Sequence, residues 1–110
     1  GGEQKDDLIY VVDAADAIVR AAFHPQPRFR AYNISRNVGT TLHDFADSVR
    51  QVVPGASIKI GPGVDYHRLG VQYYGLMDNQ RAREDLGFIP RYDLTAGVSH
   101  YVQTLRSKFR

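Results

Sequence analysis

The chain has 110 residues, 43% of them hydrophobic and 24% charged, with a formal charge of +2 and a pI near 9.1. That balance is ordinary for a soluble globular chain and excludes wholesale disorder. No apolar run approaches the roughly 20 residues of a membrane helix, and the absence of cysteine excludes disulfides and thiolate metal sites and suits a reducing cytoplasm.

Residues 1–5 read as a tag remnant or disordered end, leaving 6–110 as the folded unit. Leu8 to Val12 is a β-prone run of branched and aromatic residues. Asp13 then offers a carboxylate to cap a helix over Ala14 to Phe23, with Ile18, Val19, Ala22 and Phe23 available for burial. His24-Pro25-Gln26-Pro27 stops that helix, because proline lacks an amide donor and restricts its predecessor.

Ala31 to Ile34 is expected as a second strand, followed by a turn over Ser35 to Gly39. Thr41 is placed to cap the next helix, with Asp44 in its first turn. Leu42, Phe45, Ala46, Val49, Val52 and Val53 repeat at helical spacing, and Pro54-Gly55 ends the segment. Ser57 to Ile60 suggests a third strand, and an irregular stretch follows to about Gly75. A short helix over Asn79 to Leu86 is expected, capped by Asp78 and closed by Gly87. Asp93 caps the last helix, where Leu94, Val98, Tyr101, Val102, Leu105 and Phe109 share a face. Gly97 costs that helix roughly 1 kcal/mol relative to alanine, which marks a close packing contact. The resulting class is α/β: a small mixed subdomain of short strands with covering helices.

Four phrases resemble the C-terminal part of the extended short-chain dehydrogenase/reductase family, NAD-dependent epimerase/dehydratase type. They are Asp7 to Ala17 (DLIYVVDAADA), Tyr32-Asn33-Ile34 with Thr40-Thr41-Leu42, Asp78 to Pro90 (DNQRAREDLGFIP) and Leu94 to Gly97 (LTAG). The resemblance implies the smaller, substrate-binding part of a Rossmann-type enzyme. Its NAD or NADP is held by an N-terminal half, the partner of this one, which also carries a catalytic Tyr-x-x-x-Lys pair. Neither element is present here. Gly61-Pro62-Gly63 is followed by Tyr66 where a cofactor turn needs its third glycine, and no tyrosine precedes Lys5, Lys59 or Lys108 by four residues. No catalytic or cofactor-binding residue is therefore assigned, and the chain alone is expected to be inactive.

Substrate contact is the role left by the resemblance. Asp6 stands where many sugar-nucleotide members carry a phosphate-gripping arginine. Arg68, in the loop after the expected third strand, is the nearest candidate for a second family arginine, though displaced. A planar guanidinium suits a carboxylate or phosphate. Tyr66 and His67, with Tyr73 and Tyr74, either line a pocket or pack the loop onto the N-terminal half. The substrate class is a sugar, a sugar nucleotide or a related hydroxy compound. The rival to an enzyme fragment is a stand-alone binding module that keeps the fold.

The bland readings of the remaining residues prevail. Asp13 and Asp16, three apart, are better explained by helix capping than by paired acid-base work. The four histidines lack ligand spacing for a metal. Arg106, Lys108 and Arg110 suit a helix C-terminus better than a nucleic-acid surface. Separation from an N-terminal half is expected to leave apolar surface that drives self-association.

Overall fold

In a computed structural model, which describes residues 1–65, 67–70 and 75–109, the first helix starts three residues earlier than its sequence suggests. Val11 and Val12 belong to helix α1 (Val11–Phe23), whose N-cap is the extended Tyr10. The expected strand at Leu8 to Val12 is thus replaced by a shorter one, β1 (Lys5–Asp7). Asp13 is not a cap. It lies inside the first turn of α1, 1% exposed, and accepts the backbone N–H groups of Arg91 at 3.1 Å and Tyr92 at 3.0 Å. The expected stop holds, for His24 is the C-cap.

β1 pairs antiparallel with β2 (Gly39–Thr41), Asp6 opposite Thr40, to make a two-stranded sheet. Such a ribbon is marginal by itself and depends on what packs around it. Gly1 to Gln4, expected to fray, instead lie against the 61–63 segment: Gly2 N–H donates to the Gly61 carbonyl at 2.9 Å and Glu3 N–H to that of Gly63 at 3.0 Å.

Helix α2 (Leu42–Val52) follows β2 directly. Thr41 and Asp44 form a reciprocal capping box, the Thr41 hydroxyl accepting Asp44 N–H at 3.1 Å while the Asp44 carboxylate accepts Thr41 N–H at 2.8 Å. Helix α3 (Gln80–Leu86) ends at Gly87, whose φ of 62° is the left-handed conformation that glycine adopts without strain. Helix α4 (Leu94–Lys108) is capped by Asp93, which accepts Ala96 N–H at 2.8 Å. α2 and α4 pack together, and Ser48 and Thr95 hydroxyls meet between them at 3.0 Å. The close contact expected at Gly97 is there: a Cβ would come within 3.1 Å of the Tyr10 ring.

Two further expected strands do not form. Ala31 to Ile34 has no ladder; it is tied to the 77–79 segment by side chains instead: Asn33 Nδ2 donates to the Asp78 carbonyl at 3.1 Å, Ser35 Oγ to that of Met77 at 2.8 Å, and Asn79 Nδ2 returns to the Ser35 carbonyl at 2.9 Å. Ser57 to Ile60 is also irregular, with the Ile58 carbonyl held by Arg50 at 2.9 Å. The class is a small mixed α/β arrangement of four helices and one ribbon among the described residues.

The core is small. Ala17, Ala82, Leu86 and Phe88 are buried together, with Ile9, Tyr32 and Ile34 packed on them. Ile18, Val19 and Phe23 are not in it; they stand 68%, 55% and 83% exposed. Tyr101 on α4 and Phe109, its C-cap, likewise face outward. The chain is a slab of 48 × 41 × 18 Å with a radius of gyration of 16.2 Å, against about 13 Å for a compact domain of this length.

Candidate functional site

Arg68 and His67 lie on an exposed turn organised by Asp65. The Asp65 carboxylate accepts the N–H groups of Leu69 and Gly70, both at 2.8 Å, and its carbonyl accepts Arg68 N–H at 2.9 Å. Asp65 and Arg68 both adopt positive φ, 58° and 55°, and Gln4 Oε1 anchors the turn through Asp65 N–H at 2.6 Å. Neither Arg68 nor His67 lines the clefts described next. Tyr66, Tyr73 and Tyr74 lie outside the described residues.

The structure gathers a different set of residues around Asp13. Its two backbone bonds hold the 91–92 segment against the start of α1, and Arg91 Nε lies 4.0 Å from Asp13 Oδ1. Tyr92 thereby packs at 4.9 Å and a tilt of 48° against Tyr10, and both rings meet His100 at 5.6 Å. The Tyr10 hydroxyl and His100 Nδ1 are 2.8 Å apart. Burial raises the Tyr10 pKa, helped by Tyr92 and Tyr101 nearby, so this hydroxyl stays protonated.

Beside this aromatic group is a half-open cleft of about 160 Å³ whose walls include Ile9, Tyr10, Phe45, Leu94 and Val98, with Gly97 at its floor. Gly97 matters there because any side chain would run into Tyr10. A second depression of about 300 Å³ carries Arg36, Arg83 and Arg91. The two share Arg36, Tyr92 and Asp93. Nothing in the linear spacing of these arginines points to a common place; they come from the loop before β2, from α3 and from the loop before α4.

A separate polar cluster ties the 24–32 segment to α3. Asp85, its side chain 5% exposed, accepts the Tyr32 hydroxyl, Arg28 N–H at 2.8 Å and Arg28 Nε at 2.9 Å, with His24 Nε2 at 4.0 Å. The Tyr32 hydrogen bond, then those of Arg28, hold the Asp85 carboxyl down at about 2. A carboxylate with a depressed pKa stabilises the fold above the ordinary aspartate value of about 3.9 and loses that contribution as pH falls through the native value. The urea midpoint of the wild type should therefore drop as pH falls from about 4 towards about 2. In Asp85→Asn the drop should be smaller; an equal drop in both proteins would remove Asp85 as its source.

Among the described residues no three potential ligands gather to hold a metal, and no helix is long and apolar enough to cross a membrane.

Comparison with known proteins finds three UDP-glucose 4-epimerases. That of Mycolicibacterium smegmatis is 32% identical over 107 residues, covering 97% of this chain and 33% of the relative. That of Rhizobium meliloti is 34% identical over 92 residues, 82% of this chain and 27% of the relative, and that of Rhizobium leguminosarum bv. trifolii is 33% identical over 93 residues, 81% and 27%. The chain thus spans about a third or less of the curated relatives it matches. No family model matches it, and no solved structure gives a significant match. The relatives bear out the resemblance to the epimerase/dehydratase type carried by the four phrases.

Proposed function

From this relatedness to UDP-glucose 4-epimerases, we propose that the chain is the substrate-side portion of an NAD(P)-dependent epimerase, dehydratase or reductase of the extended short-chain dehydrogenase/reductase family, acting on a sugar, a sugar nucleotide or a related hydroxy compound. The observation that carries this reading is near-complete coverage of the chain by about a third of a UDP-glucose 4-epimerase. The family's cofactor half would supply NAD or NADP, hydride transfer and the Tyr-x-x-x-Lys pair, and this chain would shape the space in which the substrate sits. A cytoplasmic setting belongs to the same reading. Asp6, in the middle of β1, stands where a phosphate-gripping arginine is common, which favours substrates gripped otherwise at that point. The natural coding frame around Gly1 tests the proposal. A glycine-rich strand-to-helix turn followed by Tyr-x-x-x-Lys upstream would sustain it, and a start codon at Gly1 would overturn it.

The partner half is supported by the orientation of α1. Its charged residues Asp13, Asp16 and Arg20 face the chain's own body: Asp13 holds the 91–92 segment, while Arg20, bonded to Asp16 at 2.7 Å, reaches the Gly87 carbonyl at 3.0 Å. Val11, Ile18, Val19 and Phe23 face outward. An ordinary surface helix has the opposite arrangement. Exposed apolar stripes of this kind mark contact surfaces, and in the proposed enzyme this one rests on the cofactor half. Without that half the stripe should find a substitute in a second copy. At high concentration the isolated chain is expected to sediment as a dimer or larger species. Ile18→Glu combined with Val19→Lys should sediment as a monomer with an unchanged helical spectrum, since both side chains are already over half exposed. A monomeric wild type would contradict this role for α1.

A further inference from the structure

The two clefts that share Arg36, Tyr92 and Asp93 are chemically unlike, and together they describe a ligand. The apolar one measures about 160 Å³, close to the roughly 150 Å³ of apolar cavities that take up a benzene ring. Tyr10 and Tyr92, themselves in contact at 4.9 Å, form part of its wall, and Gly97 lets the Tyr10 ring pack close against α4 there. A single ring fills such a space; a larger fused system does not.

The adjoining depression is basic. Arg91 is partly engaged by Asp13 at 4.0 Å. No carboxylate among the described residues lies within ion-pair distance of Arg36 or Arg83, although Arg36 N–H donates to Asp7 at 3.1 Å. The acid in the lining, Asp93, already accepts Ala96 N–H at the start of α4. Guanidinium groups converging from separate segments match the oxygens of a phosphate or carboxylate and are weakly hydrated enough to release water to it.

We propose that this composite cleft binds a small anion carrying one apolar ring, an aryl or cyclic phosphate monoester or carboxylate, with the ring in the apolar cleft lined by Ile9, Tyr10, Phe45, Leu94 and Val98 and the anionic group on Arg36 and Arg83. The site rests on the two clefts alone, so it stands or falls separately from the epimerase reading. The ring contributes by apolar burial and the arginines by charge-assisted hydrogen bonds, and each half selects against a ligand lacking its counterpart.

Phenyl phosphate titrated into ¹⁵N-labelled chain tests this, with inorganic phosphate, phenol and benzoate as comparisons. Saturable shifts are expected at the amides of Arg36, Arg83, Tyr92 and Gly97, with phenyl phosphate binding about tenfold more tightly than inorganic phosphate or phenol. Benzoate binding as tightly as phenyl phosphate identifies the carboxylate form of the class; weaker benzoate binding identifies the phosphate form. Arg83→Gln, an exposed helical position where glutamine is a good helix former, should weaken phenyl phosphate about tenfold while leaving the amide spectrum dispersed. Equal binding of phenyl phosphate and inorganic phosphate would overturn the proposal. So would unchanged affinity in Arg36→Gln combined with Arg83→Gln, or the absence of any saturable shift.

Discussion

Phe88→Ala is expected to lower the unfolding free energy by about 3–5 kcal/mol, the range for removing a buried aromatic ring and leaving its cavity. Phe88 is fully buried, and its N–H donates to the Ala82 carbonyl at 3.1 Å just past the left-handed Gly87. The ring fills the space that α1 and α3 leave between Ala17 and Ala82. Those two alanines let the helices approach but supply little apolar surface themselves, so the ring supplies most of what they bury. With so few residues in the core, neighbouring side chains cannot collapse far into the gap. Denaturant unfolding monitored by circular dichroism should show a large fall in midpoint, whereas Phe88→Leu, which keeps most of the volume, should fall much less. A loss below about 1 kcal/mol in Phe88→Ala, smaller than any ordinary buried aromatic truncation, would mean that the core lies elsewhere.

Asp13→Ala is the second large effect, and it reaches the candidate site. The Arg91 and Tyr92 N–H groups would lose their acceptor, a carboxylate on a residue only 1% exposed. Leaving a buried donor unsatisfied costs about 1–3 kcal/mol, and hydrogen bonds to a charged partner lie at the upper end. Two such donors together predict a loss of about 3 kcal/mol. Asp13→Asn retains one acceptor oxygen and should lose about half as much. The distinguishing measurement is local: amide exchange at Arg91 and Tyr92 should accelerate in Asp13→Ala before the rest of the chain does. If those amides stay as protected as in the wild type, Asp13 is not what holds the segment. Because Tyr92 lines both clefts and Arg91 the basic one, any released segment should also weaken phenyl phosphate binding without a change in Arg36 or Arg83.

The features legible in the sequence are those whose causes are local. Thr41 and Asp44 sit three residues apart and satisfy each other's backbone within one turn. Asp93 does the same for α4, and Gly87 ends α3 because glycine takes the left-handed conformation without strain. Pro25 ends α1 for an equally local reason. The four phrases that resemble the epimerase/dehydratase family are also local, and the relatives support them.

The strands were misread because β-propensity reports a residue's fit to a half-buried surface, and whether a partner strand lies alongside is not written in four residues. Ala31 to Ile34 and Ser57 to Ile60 have suitable side chains, but no partner strand pairs with them: Arg50 donates to the Ile58 carbonyl, Asn79 to that of Ser35, and Asn33 itself donates to that of Asp78. Asp13 looked like a cap by its place before an apolar run, yet its acceptors are used 78 and 79 residues away. Likewise Ile18, Val19 and Phe23 have the spacing of a buried face, and periodicity gives a face without saying what covers it. Arg68, singled out from its loop, stands on an exposed turn, whereas Arg36, Arg83 and Arg91 meet only through the packing of three distant segments. By itself the sequence determined the four helices, the caps of α2 and α4, the stops of α1 and α3 and the family resemblance, because these caps, turns and short phrases are settled by neighbours along the chain. Only the tertiary structure decided which side of α1 faces out and which arginines share a cleft, because both depend on contacts between residues that chain order keeps far apart.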